Sequence, residues 1–125
     1  MPGGTRAITD FYDHELLRMP VSRFARVPPG TVHARHLYPI LVDDPQGPSR
    51  DDVALALSQA GVASSVHFPV VHLHSYYRDR FGFRPGQFPV AERISATVLS
   101  LPLSPALSDA QVDQVVSALG EALGV

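Results

Sequence analysis

The chain has no lysine: all ten of its basic residues are arginines. That excludes any chemistry needing an amine side chain within this sequence, such as a Schiff base, a P-loop lysine or a lysine general base. Mutational bias in a GC-rich genome accounts for much of the exchange of Lys for Arg, and the chemical exclusion holds either way. There is no cysteine either, so disulfides, a thiol nucleophile and cysteine-held metals are excluded. No apolar run approaches the length of a transmembrane helix. The opening MPGGTRAITD lacks the charged-then-apolar pattern of a secretory signal. Together these set the expectation of a cytoplasmic location and no membrane partner. The charges nearly balance: a net charge of −2 exerts no long-range pull on nucleic acid.

What is present suits one globular domain. The sequence runs to 125 residues, 45% hydrophobic and 18% charged, a composition that folds. A chain of this size buries roughly two-thirds of its unfolded surface. From Thr5 to about Met19, Ile8, Phe11, Tyr12, Leu16 and Met19 recur at helical spacing, with Thr5 placed to cap the start. This helix begins almost at residue 1, so its apolar stripe is expected to pack on something outside the chain. VPPG at Val27–Gly30 reads as a turn or linker.

HLYPILV, His36–Val42, reads as a strand, in which Pro39 calls for an edge position or an outward-facing amide. Ser49 and Asp52 make a capping pair for a helix bearing Val53, Ala56, Leu57 and Ala60, with Gly61 at its C-terminal cap. Val62–Val70 reads as a second strand, with Ser65 and His67 on one face. A short helix over Tyr76–Phe81, a glycine-rich loop and a helix from Pro89 to about Ala96 follow. Thr97–Leu103 is the third strand, and Ser108 with Gln111 boxes the start of a last helix striped by Val112, Val115, Val116, Leu119 and Leu123. Three strands among helices predict a small α+β fold with helices on one face of the sheet. The other face is expected to need a covering partner.

The chemistry concentrates in SVHFPVVHLHSYYRDRF, Ser65–Phe81, where His67, His72 and His74 fall within eight residues. As a metal site this trio is short of ligands: His72 and His74 share a face when extended, His67 does not, and the nearest acid is Asp79. As a hydrolase it lacks a G-x-S-x-G elbow, although Ser64, Ser65 and Ser75 lie near the histidines. His74, beside Ser75, reads as surface. His67, a polar ring amid Val66, Phe68 and Val70, either has a buried partner or lines a cleft. Of Tyr76 and Tyr77, at most one can point at a given site, because neighbours on a helix diverge by about 100°.

The stretch GVASSVHFPVVHLHSYYRDRFG, Gly61–Gly82, resembles the C-terminal segment of DegT-type nucleotide-sugar aminotransferases. HARHLYPILVDD and SRDDVALALSQAG upstream, and FPVAERISATVLSLPLSPALSDAQVDQVVSAL downstream, extend the resemblance. RAITDFYDHEL resembles the family's interdomain helix, with Tyr12 in place. The family's fold is that of the aspartate aminotransferases. The resemblance implies that residues 1–26 are an interdomain helix remnant and linker, and that residues 27–125 are the C-terminal small domain. The N-terminal large domain, carrying pyridoxal phosphate and its lysine, would lie outside this sequence, which agrees with the lysine count.

The resemblance further implies that His67 and Phe68, then His72 and Tyr76, bind substrate, with Tyr77 open as the alternative to Tyr76. His74 falls where the family varies and is assigned no role. The implied reaction moves an amino group from glutamate to the 4-keto carbon of a nucleotide sugar, for polysaccharide or lipid modification. This chain alone is predicted inactive and without cofactor, the complete enzyme a homodimer. Two other readings stand beside it: a non-enzymatic module that self-associates or binds a partner domain, and a small metal protein using His67, His72 and His74.

Overall fold

The computed structural model describes residues 4–24 and 27–125. Residues 1–3, 25 and 26 lie outside that set, and with them the boundary expected between 26 and 27. Helix α1, Thr5–Glu15, runs into a 3-10 turn at Leu16–Arg18, and strand β1, Ser22–Arg23, follows. Then come β2, Tyr38–Leu41; α2, Arg50–Gln59; a 3-10 turn at Val71–Leu73; and α3, Ser75–Phe81. Helix α4, Pro89–Thr97, strand β3, Val98–Leu101, and helix α5, Asp109–Leu123, complete the order. The three strands form an antiparallel sheet in the order β1-β2-β3. The class is α+β, as expected.

Local chemistry sets the helix ends. The Ser49 hydroxyl accepts the Asp52 amide at 3.1 Å, and acids in the first turn of α2 suit its positive end. At the far end Gly61 takes φ +78°, Val62 N–H reaches Leu57 C=O and Gly61 N–H reaches Ser58 C=O. This is a complete Schellman closure, and it drops Val62 into the core. Ser108 and Gln111 form the reciprocal capping box of α5. Thr5 does not cap α1: Gly4 holds that position without a side-chain bond, and the Thr5 carbonyl accepts the Thr9 hydroxyl at 2.6 Å.

One sheet face presents Tyr38, Ile40, Leu99 and Leu101 to a core shared with Ile8, Tyr12, Leu16, Val53, Leu57, Val112, Val115 and Leu119. The stripe of α1 therefore packs inside the chain, not on an outside body as expected. Tyr12 is fully buried, its ring 4.9 Å from that of Tyr38, and its hydroxyl donates to Pro102 C=O at 2.8 Å. Burial pushes the Tyr12 phenol up to about 12, so it stays a neutral donor. The second face carries Pro39, Leu41, Val98 and Ser100. All but Pro39 are buried, and α4 lies against β2. The face expected to stand open is therefore largely closed by the chain itself.

Two strand expectations change. Val62–Val70 is not a strand: it touches the sheet only at a Ser65–Ser100 bridge, and Pro69, with no N–H, is unsuited to a continuing ladder. The third strand is β1, whose two exposed polar residues carry no periodic signal. Pro39 sits in the central strand, yet it costs no bond. Ser100, opposite it, gives both backbone groups to Ser65, so the Pro39 nitrogen faces the β1 side. There β1 ends at Arg23, one residue short of the position that would need a Pro39 N–H.

Arg50 ties α2 to the α4–β3 corner. Its Nη1 donates to Ser95 C=O at 3.0 Å and Val98 C=O at 2.9 Å, and its Nε to Asp51 at 2.6 Å. The side chain is 14% exposed. Charged-donor bonds of this kind contribute about 1.5–3 kcal/mol. Arg50→Ala is expected to lower unfolding stability by that order in denaturant titration. Arg50→Lys, a point charge without the fork, should recover only part of it.

Candidate functional site

The histidine-rich segment is a strap held at several points. Its start is fixed by the glycine closure after α2, and its second anchor is the paired backbone bonds between Ser65 and Ser100, 2.8 and 3.2 Å. Two residues on, His67 Nδ1 lies 2.9 Å from the Ser100 hydroxyl. Ser100 is buried, His67 half-buried. The His67–Phe68 peptide is cis, and the two rings meet edge to face at 4.8 Å. Phe68 is 67% exposed. His67 thus has the buried partner that a polar ring among apolar neighbours requires.

His72 behaves differently. Expected to bind substrate, it points inward: the residue is 9% exposed, and its ring meets Phe88 at 4.8 Å and Phe83 at 6.3 Å. Its Nε2 has no hydrogen-bond partner and lies 3.6 Å from Glu92 Oε2. Tyr76 is exposed and packs edge to face on Tyr77 at 5.2 Å, and Tyr77 stacks on Phe81. Among the described residues no hydrogen bond or ring contact joins His67 to His72 or Tyr76. His74 is exposed. Among the described residues no group of three or more His, Asp or Glu is placed to hold a metal ion.

Three residues were given no site role from the sequence: Ser100, Glu92 and Arg50. Ser100 stood inside SLPL as an ordinary strand residue. Glu92 accepts the Gly86 amide at 2.8 and 3.1 Å and the Phe88 amide at 3.2 Å, closing the loop ahead of α4. The Gly86 N–H, then the Phe88 N–H and His72, hold its carboxyl below the usual range against some desolvation. A carboxylate with a depressed folded pKa stabilises the fold above its unfolded pKa, and that contribution disappears as pH falls through the folded value. Protection of the Gly86 and Phe88 amides, taken relative to the intrinsic exchange rate at each pH, is therefore expected to fall in acid below the ordinary carboxylate range of about 4. Glu92→Ala should produce the same loss of protection at neutral pH, and unchanged protection would show that the loop is held otherwise.

An open groove of about 1220 Å³ lies elsewhere, between α1, β1 and the 27–37 segment. Its charged groups are already engaged: Asp13 accepts from Tyr38 and Arg23, and Arg35 sits 4.0 Å from Asp10.

The DegT/DnrJ/EryC1/StrS aminotransferase family profile matches residues 4–120, and the chain belongs to that family. The spore coat polysaccharide biosynthesis protein SpsC of Bacillus subtilis is 42% identical over 89 residues, 70% of this chain and 23% of SpsC. The aminotransferase TlmJ from Streptoalloteichus hindustanus superposes with a TM-score of 0.82 at 29% identity, over 96% of this chain and 31% of TlmJ. The sugar aminotransferase CalS13 from Micromonospora echinospora gives 0.73 at 26% identity, over 94% of this chain and 29% of CalS13. The chain thus spans less than a third of the length of each of these relatives. No helix among the described residues is long and apolar enough to cross a membrane.

Proposed function

We propose that this chain is the C-terminal small domain of a pyridoxal-phosphate aminotransferase that passes an amino group from glutamate to the 4-keto carbon of a nucleotide sugar in the cytoplasm. The observation that carries the reading is His67, held by a buried hydroxyl beside the exposed Phe68 ring. The family match and the likeness to a sugar aminotransferase support it. The chain's residues do not fit the cofactor's covalent anchor, because no lysine is present to engage the aldehyde. What they offer is a wall: His67, Phe68 and Tyr76 toward the sugar, with His72 and Glu92 behind. Phe68 and Tyr76 supply apolar and stacking surface, and His67 a directed hydrogen bond.

Hydrogen exchange in the complete enzyme tests this. Adding a 4-amino nucleotide sugar should slow exchange across 65–77, and protection confined to other segments would remove the strap from the substrate site. A second reading, a module that associates through its own surface, is favoured by the run of rings from Tyr76 through Tyr77, Phe81 and Phe83 to Phe88. Three of these, Tyr76, Phe81 and Phe88, are well exposed. Concentration-dependent elution of the 125-residue chain as a dimer supports that reading, and a monomer at all concentrations removes it.

A further inference from the structure

We infer that Ser100 is the positioning residue of His67, fixing its imidazole in the tautomer that carries the proton on Nε2. The strap therefore offers its ligand a hydrogen-bond donor rather than a base. The argument starts from the hydroxyl. Ser100 is 4% exposed, and its Oγ has one hydrogen-bond partner among the described residues, His67 Nδ1 at 2.9 Å. A buried hydroxyl left without an acceptor costs on the order of 1–3 kcal/mol. If Nδ1 carried the proton, Ser100 could only accept, and its own hydrogen would point into the packed second face of the sheet. Donation from Oγ–H to Nδ1 satisfies both groups. The imidazole proton then sits on Nε2, at the end of the ring away from the sheet.

The backbone makes this arrangement rigid. Ser100 lies in β3, and its N–H and C=O are both bonded to Ser65, two residues before His67. One residue thus clamps the strap by its main chain and orients the ring by its side chain. Such outer partners set which nitrogen of a histidine faces the chemistry. The consequence is a ligand class for this spot. A neutral Nε2–H meets an oxygen acceptor, such as a phenolate, carbonyl or phosphate oxygen, and does not remove a proton. This deepens the proposed function and rests on it for the ligand, while the tautomer is a property of the chain itself.

The experiment is a nitrogen-15 NMR measurement on the 125-residue chain labelled in its histidine rings, at pH about 8.5, where an ordinary imidazole is neutral. The expected result is a single tautomer at His67: Nδ1 with a pyridine-type shift, Nε2 with a pyrrole-type shift. A pyrrole-type Nδ1 would overturn the inference. In Ser100→Ala the two shifts should move toward intermediate values as the tautomers mix, and an unchanged pair would strip Ser100 of its role. The wild-type spectrum needs no variant to fold and no ligand to bind. It therefore fails separately from the functional reading, which the substrate-protection experiment addresses.

Discussion

Replacing His67 with alanine in the complete enzyme lowers turnover by about 10²-fold while leaving the cofactor's absorbance in place. The size follows from the proposed role: a preorganised donor aimed at developing charge contributes on the order of 10²–10³ in rate. On the proposed function cofactor binding survives, because a chain with no lysine does not supply the covalent anchor. The substitution also frees the Ser100 hydroxyl, whose one partner is His67. A modest loss of stability, about 1–3 kcal/mol, should accompany the kinetic effect. His67→Gln separates the two: its amide reaches the Nε2 position, so it should regain part of the rate without restoring the Ser100 bond. Unchanged turnover in His67→Ala would remove this imidazole from the site.

Tyr12→Ala is the substitution expected to damage the fold most, by about 3–5 kcal/mol, as for other large aromatic truncations in cores. The ring is fully buried against Tyr38, and the hydroxyl closes on Pro102 C=O across 90 residues of sequence. Domains of this size are stable by only about 5–15 kcal/mol, so the variant loses much of its margin. Tyr12→Phe keeps the packing and strands only the Pro102 carbonyl, at a cost of about 1 kcal/mol. Denaturant titration of the three proteins measures both steps. Near-equal stabilities would mean that α1 is an appendage, as a helix with an external partner would be. A large loss means that it belongs to this core.

That contrast shows where the sequence could be read. Helix ends were legible because their signals are local: Ser49 with Asp52, Ser108 with Gln111, and Gly61 each act within a turn of the helix they bound. The helical stripes of α1 and α5 were equally plain, but a stripe says that a face is buried and not against what. Tyr12 found Tyr38 and Pro102 through contacts that no window of sequence contains. β1 was invisible because a two-residue exposed strand has no period, and its pairing depends on where Pro39 falls in β2. Val62–Val70 read as a strand on its β-branched residues, while Pro69 and the single Ser65–Ser100 bridge limit it to one anchored point.

The site divides the same way. His67 stood out as a polar ring in an apolar run, and the resemblance to the family gave it a role. Its partner did not stand out, since serine at position 100 becomes informative only when β3 brings it beneath the ring. His72 and His67 look alike in sequence, yet one meets Ser100 and the other turns toward Glu92 and Phe88. Glu92 stood in the FPVAER stretch that carried the resemblance, with no role attached to it. It matters because the loop before α4 folds its amides onto one carboxylate.

The most direct test of the account is a chimera in which residues 4–120 replace the matching segment of TlmJ, assayed for amino transfer with the substrates that TlmJ itself turns over, beside the 125-residue chain alone. The account predicts transfer by the chimera, loss of most of it on His67→Ala, and none from the chain by itself. A chimera that folds and retains its cofactor yet transfers nothing, or a lysine-free chain that transfers unaided, would contradict it.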